Sequence, residues 1–253
     1  MGIRFFPHTM ERIPKELCSR LAVAKSVAVL TGAGISAESG VPTFREAQTG
    51  LWARWHPEDL ATPQAFQRNP RLVWDWYRWR RQLVIDVEPN SGHLALVQLE
   101  RRVSKFHLAT QNVDGLHRRA GSRNLSELHG NLFRDLCAYE GTDVDLPEGL
   151  AEVLPRCPRC GGPVRPGVVW FGEPLPEAEL MASESAAGGC DIYLVVGTSG
   201  LVRPAAGLPL LALRSGAFVV EINPETTPLT DSVHCTIRAA ADAVLVSLLE
   251  SLA

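Results

Sequence analysis

The sequence predicts an α/β protein: a Rossmann-like parallel sheet with helices on both faces. Three observations lead there. Ser26-Val27-Ala28-Val29-Leu30 is a short, nearly all-apolar, β-branched run, which suits a strand buried on both faces of a parallel sheet. It runs straight into Gly32, Gly34 and Ala37 in G-x-G-x-x-A spacing, the turn through which backbone N–H groups approach a dinucleotide pyrophosphate. The last third of the chain alternates strand and helix patterns.

Taken in order, Pro14–Ala24 is amphipathic and predicts a helix leading into the first strand. A standard dinucleotide fold would place an acidic residue about 20 positions after the glycine turn, at the end of a second strand. That region is Gln48–Asp59, which has no strand pattern, whereas Arg45 lies just past the turn, where a cation can face a phosphate. Thr62-Pro63 reads as a helix start, with Thr as cap and Pro at the first helical position. A second helix follows Pro70, crowding Trp74, Trp76, Tyr77 and Trp79 together with Arg78, Arg80 and Arg81. On pattern alone it is a core helix with aromatic anchors and a solvated basic face.

Asn90 caps a helix through LALVQLERR, followed by a strand over Phe106–Thr110 and the loop Gln111-Asn112-Val113-Asp114-Gly115. LSELHG at 125–130 reads as a short strand ending on His129, residues 137–166 as a Pro/Gly/Cys-rich insert, and Gly167–Phe171 as an extended piece. Asp191–Val196 and Ala217–Ile222 are strands, Ala205–Arg214 and Ala240–Leu252 helices. Four strands thus end in small polar loops, TGAGIS, TQNVDG, GTSG and NPE. In open α/β sheets ligands bind outside the carboxyl ends of the strands, so the four loops predict one nucleotide site. Glu225, or Asn223 beside it, then becomes the candidate for a ribose hydroxyl.

The bulk numbers exclude several classes. With 253 residues, 45% of them hydrophobic, the chain is long enough for a sizeable core, and its net charge of −3 argues against a general nucleic-acid binder. No apolar run reaches the roughly 18 residues of a membrane span. The amino-terminal stretch carries Glu11 and Glu16 and has no apolar signal region, and Phe at position 6 argues against myristoylation. Six cysteines in a chain this long do not make a disulfide scaffold, so a reduced, cytoplasmic protein is expected.

Among seven histidines, position singles out His129, which could act as a general base or be a structural histidine bonded to backbone, while His93, His107 and His117 read as structural. Asn112 and Asp114 alternate around Val113 and would point the same way if extended. Cys157-Pro158-Arg159-Cys160-Gly161-Gly162 is a C-x-x-C-G-G knuckle of the kind that holds structural zinc. Its partner is Cys137-Ala138-Tyr139-Glu140, in which Glu replaces the second Cys. Three thiolates and a carboxylate could hold zinc, or the metal could be lost. Cys18, Cys190 and Cys235 read as buried apolar thiols.

The ordered motifs GAGISAESGVPTFR (32–45), TQNVDGLHRRAG (110–121), ELHG (127–130), GVVWFGE (167–173), GTSG (197–200) and NPE (223–225) resemble the signature set of the sirtuins, NAD-dependent protein-lysine deacylases. The resemblance covers about residues 14–250. It implies a large Rossmann-type unit from about 14–45, 88–132 and 167–253. It also implies a small domain from insertions at about 46–87, helical, and 133–166, zinc-ribbon-like. NAD and an acyl-lysine protein or peptide would bind between them, with no nucleic acid or membrane partner; a monomer is plausible.

Residue by residue, the resemblance assigns Gly32, Ala33, Gly34 and Ser36 to the phosphates and ribose, and Phe44 and Arg45 to the reacting ribose. Asn112 and Asp114 would form the carboxamide pocket and Gln111 would bind a ribose hydroxyl. Gly197, Thr198, Ser199, Asn223 and Glu225 would bind the adenosine half, with Ala241 against the adenine. His129 would be the catalytic base, acting with Asn112. Val168, Trp170, Phe171, Gly172 and Glu173 would pair with the substrate backbone, a β-augmentation mode. Metal ligands would be Cys137, Cys157 and Cys160, with Glu140 as a possible fourth. LATPQAFQRNPRLVWDWYRWRR (60–81) resembles the sirtuins that remove succinyl and malonyl groups, in which a Tyr-x-x-Arg pair holds the acyl carboxylate; here that pair is Tyr77 and Arg80. Removal of acetyl groups is expected as well. Two further readings stay open: an ADP-ribosyltransferase, and a non-catalytic NAD-sensing module.

Overall fold

Val27, Val29 and Leu30 are buried because their strand, β1 (Ser26–Thr31), is the centre of a parallel sheet. The structure is a computed structural model that describes residues 13–42, 54–146 and 153–252. On one side β1 pairs with β2 (Lys105–Thr110), which pairs with β3 (Leu125–Glu127). On the other it pairs with β6 (Ile192–Val196), then β7 (Phe218–Ile222) and β8 (Cys235–Ile237). All of these pairings are parallel, in the order β3-β2-β1-β6-β7-β8. The registers bring Thr31 level with Thr110 and Val196, and Val196 level with Ile222. Four strand ends therefore reach one edge at one height.

Each sheet face has its own apolar layer. One packs under α1 (Lys15–Val23), α5 (Ser91–Arg102) and α9 (Ala241–Glu250) through Leu17, Leu96, Leu99, Leu245 and Leu248. The other packs under α7 (Glu177–Gly189) and α8 (Leu208–Arg214) through Ala187, Leu208 and Ala212. A second sheet pairs β4 (Gly130–Cys137) antiparallel with β5 (Val164–Val168). Against it lie α2 (Pro57–Leu60), α3 (Pro63–Arg68) and α4 (Pro70–Val84), joined through Phe66, Trp76, Tyr77, Leu132 and Trp170. Local chemistry sets these helix starts. Thr62 Oγ1 accepts from Ala65 N at 3.1 Å, and Asn69 Oδ1 accepts from Leu72 N at 3.0 Å, each just before a proline. α6 (Leu116–Ala120) is a single short turn after Gly115, whose φ of 75° suits glycine.

The structure departs from the sequence expectations in several places. His129 lies in the turn between β3 and β4, because β3 stops at Glu127. Residues 130–137, read partly as insert, form β4. α7 was not anticipated: its Ala, Ser and Gly residues dilute any 3.6-residue apolar period. β8 has three residues, too few for a periodic signal. The segment expected as one helix over 205–214 divides into a 3-10 turn at Ala205–Gly207 and α8, where Pro209 occupies the first turn. The extended piece over 167–171 ends earlier, since Phe171 already lies in a turn.

The expected solvated basic face of α4 holds only in part. Arg81 is 4% exposed, and its Nη2 lies 2.6 Å from Asp135 Oδ1. It also donates to the Leu132 and Arg134 carbonyls, so it ties the helical insertion to β4. Removing one partner of a buried pair strands the other. Arg81→Met should cost about 3 kcal/mol in denaturant unfolding, and adding Asp135→Leu should recover most of that loss. Additive losses in the double variant would count against the pair.

Candidate active site at the carboxyl edge of the sheet

The site begins with backbone against backbone. Gly32 N donates to Val196 O at 3.0 Å and Gly34 N to Gly197 O at 2.8 Å. A Cβ on Gly34 would sit 2.6 Å from Gly197 Cα, and one on Gly197 would sit 2.6 Å from Gly34 C. Only glycine allows this approach, and Gly197 also has φ 59°. The loops after β1 and β6 are thereby locked together, and Ala33–Ser36 forms a 3-10 turn whose N–H groups start at the sheet edge. Gln111 Nε2 reaches Thr198 Oγ1 at 2.7 Å, bringing in the loop after β2. Asn223 Nδ2 donates to Thr198 O at 2.9 Å, bringing in the loop after β7. Glu225 and Ser199 are exposed beside it, and buried Ala241 opens α9.

Asn112 and Asp114 do point the same way. Both meet Ser36 Oγ, which accepts from Asn112 Nδ2 at 3.1 Å and donates to Asp114 Oδ2 at 2.8 Å. Asp114 also accepts from Leu116 N at 2.9 Å. Burial pushes its carboxyl above the ordinary carboxylate range, opposed by these bonds and by the Arg80 guanidinium.

His129 is held in one tautomer. Its Nδ1 lies 2.9 Å from Gln111 O. A carbonyl only accepts, so Nδ1 carries the proton and Nε2 keeps its lone pair. Desolvation lowers the pKa below 6.5 and the Gln111 carbonyl partly restores it, so the ring is neutral at pH 7. Val169 N donates to His129 O at 2.8 Å, which joins His129 to the chain leaving β5. Beyond it, Phe171 N bonds Ala61 O at 2.9 Å and the Glu173 carboxylate accepts from Arg165 and from Trp170 N. Gly172 has φ 88° in that turn. Phe44 and Arg45 lie outside the described residues.

Tyr77 and Arg80 share one face of α4, close enough to affect each other's charge, and Arg80 also feels Asp114. Burial first, and the charges around it second, leave the Tyr77 phenol at about 12, so it stays a hydrogen-bond donor. Arg80 is partly exposed overall while its guanidinium is desolvated, which lowers its pKa; Tyr77 and Asp114 oppose that shift.

The Cys cluster lies at the end of the small sheet, where Cys137 closes β4. The ligand atoms of Cys137, Glu140, Cys157 and Cys160 are all within 4.8 Å of one another. Three sulfurs and a carboxylate oxygen at that spacing fit a four-coordinate structural zinc site. Cys18, Cys190 and Cys235, expected to be buried, are partly exposed.

Sequence reading missed what supports the site from below. Thr31 Oγ1 donates to Thr110 Oγ1 at 2.8 Å and accepts from His117 Nε2 at 2.9 Å. Asn90 Oδ1 accepts from His93 Nδ1 at 3.1 Å, while Asn90 Nδ2 holds Ile35 O at 2.7 Å. The two rings meet at 4.8 Å, and His107 separately bonds Ser183. Desolvation holds His93 down at about 4, and desolvation plus the neighbouring ring holds His117 well below 6.5. Between pH 6.5 and 4 the unfolded chain binds protons that the folded chain refuses, so stability falls as pH drops through that window and is flat above it. Thermal unfolding at pH 5 against pH 7.5 should show the loss, about 2 kcal/mol from His93. His93→Gln should shrink the difference, and an unchanged difference would contradict it.

Residues 32–204 match the family model described as the Sir2 family. The NAD-dependent protein deacylase of Thermus thermophilus is 55% identical over 236 residues, 92% of each chain. The one from Mycobacterium tuberculosis is 52% identical, covering 89% of this chain and 97% of that one. A solved Sir2 homologue in complex with NAD superposes with a TM-score of 0.90 at 43% identity, covering 97% of this chain and 96% of that one. A second solved Sir2 protein, with a deacetylated p53 peptide and 3′-O-acetyl ADP ribose, gives 0.81 at 30% identity, covering 93% and 97%. With its glycine-locked loops, buried Ser36–Asp114 pair and neutral His129 in that setting, the chain belongs to the Sir2 family.

Proposed function

We propose that the protein is an NAD-dependent protein-lysine deacylase that removes succinyl and malonyl groups, with some removal of acetyl groups, consuming NAD and water and giving nicotinamide, O-acyl-ADP-ribose and free lysine. The observation that carries the acyl preference is the placement of Tyr77 and Arg80. A neutral phenol and a desolvated guanidinium share one helix face, and the guanidinium is also within electrostatic reach of Asp114. A carboxylate at the end of an acyl chain would meet one charged donor and one neutral donor there. Acetyl has no such group and gains nothing from them.

NAD supplies the electrophilic ribose carbon and nicotinamide as leaving group. The chain's residues bind and orient around it. Gly32, Ala33, Gly34 and Ser36 line the phosphates and ribose, with the Gly32 and Gly34 N–H groups spent on holding the turn against the loop after β6, and Phe44 and Arg45 would border the reacting ribose. Asn112 and Asp114 hold the carboxamide, with Ser36 Oγ fixing their direction. Gln111 orients a ribose hydroxyl. Gly197, Thr198, Ser199, Asn223 and Glu225 take the adenosine, and Ala241 lies against the adenine. His129 Nε2 takes the proton from a ribose hydroxyl, since its other nitrogen is committed to Gln111 O. Residues 168–173 border the peptide. Of these, Trp170 also walls the acyl pocket, because its ring lies 6.4 Å from that of Tyr77. The large unit would comprise 14–45, 88–132 and 167–253, and the small domain 46–87 and 133–166. Zinc would be structural, joining the two Cys loops.

A panel of acetyl-, succinyl- and malonyl-lysine peptides with NAD tests the reading. Arg80→Met should cut kcat/KM for the succinyl peptide roughly 30-fold, the worth of one charged hydrogen bond, and leave the acetyl peptide within a few-fold. Equal losses on both peptides would defeat the carboxylate role.

A further inference from the structure

The metal cluster contains a departure that the acyl chemistry does not use. Its two halves have the same backbone shape. Gly161 N bonds Cys157 O at 2.8 Å with φ 72° at Gly161, and Gly141 N bonds Cys137 O at 2.9 Å with φ 66° at Gly141. In the first half the backbone N–H groups of Arg159 and Cys160 face the Cys157 sulfur; in the second, Glu140 N reaches the Cys137 sulfur at 3.4 Å. Glu140 thus occupies, in its knuckle, the place that Cys160 occupies in the other.

A carboxylate is longer and more mobile than a thiolate and needs orienting. Arg159, inside the C-x-x-C itself, provides that. Its Nε donates to Glu140 Oε2 at 3.1 Å, and Thr142 Oγ1 donates to the same oxygen at 3.3 Å. The guanidinium also bonds Thr142 Oγ1 and, at 3.3 Å, Asp143 O. These partners lie in the opposite loop, so Arg159 crosses from one half of the ligand set to the other. The charge balance points the same way. Three thiolates, one carboxylate and a divalent ion leave two negative charges, and Arg159 offsets one of them.

We propose that Arg159 is a working part of the metal centre: it grips Glu140 by Oε2, leaving Oε1 to the metal, so that the chain builds a zinc site of three thiolates and one carboxylate. The site depends on this cation for its retention of metal, and it gives up zinc more readily than four thiolates would. The inference is independent of acyl preference, since it concerns only the chain and zinc.

The test is zinc release from the purified holoprotein to a chromogenic chelator, with wild type, Arg159→Met, Arg159→Lys, Glu140→Gln and Glu140→Cys side by side. Loss of an outer partner to a ligand typically costs about ten- to a hundred-fold in metal affinity. Arg159→Met should therefore release zinc roughly tenfold faster, Arg159→Lys should restore part of the rate, Glu140→Gln should release faster than wild type, and Glu140→Cys more slowly. The Arg159 side chain is 53% exposed, so its loss leaves the fold intact. Cobalt substitution gives a second readout: the thiolate-to-cobalt absorption of wild type should correspond to three sulfurs and that of Glu140→Cys to four. Identical release from Arg159→Met and wild type, an equal sulfur count in wild type and Glu140→Cys, or a purified protein that binds no zinc would each overturn the proposal.

Discussion

The contact between Gly34 and Gly197 is the constraint from which the rest of the site follows. Two loops leave neighbouring strands and touch backbone to backbone, with no room for a Cβ on either side. The parallel register makes this possible, because β1 and β6 end level with one another. Once the loops are locked, Thr198 is placed to receive Gln111 and Asn223, and the ends of four strands share one mouth.

Below that mouth the protein keeps two histidines neutral by burial. His93 and His117 are desolvated, and their tautomers are set by Asn90 and Thr31. His129 follows the same logic with the opposite consequence. One nitrogen is tied to a carbonyl and the ring is kept neutral, but it stands at the end of a turn beside the open edge. In the reading proposed for it, His129 Nε2 takes a proton, a role the two buried rings do not share. Asp114, buried with Ser36 and within reach of Arg80, links this layer to α4.

Much of the site was legible in the chain because its residues follow strands with strong apolar signals. The strand at 26–30, the glycine turn and the loops at 111–115, 197–200 and 223–225 are local features, and their meeting follows from parallel topology. Asn112 and Asp114 were placed by simple alternation, and both reach Ser36. What escaped depends on distant partners. Arg81 looked like part of a solvated face, and its burial is explained by the carboxylate of Asp135, 54 positions away, together with the Leu132 and Arg134 carbonyls. His117 and Thr31 meet across 86 positions. α7 and β8 were missed for a different reason, one being too rich in small residues and the other too short for periodicity to register.

If the glycine contact builds the NAD site, a single methyl group placed there should undo binding while sparing the fold. Calorimetric titration of NAD into Gly34→Ala, beside wild type, measures this. The expected result is a folded protein with an unfolding temperature within several degrees of wild type and an NAD affinity weakened roughly tenfold or more, since the added Cβ must push the two loops apart. A Gly34→Ala protein that binds NAD as tightly as wild type would contradict it.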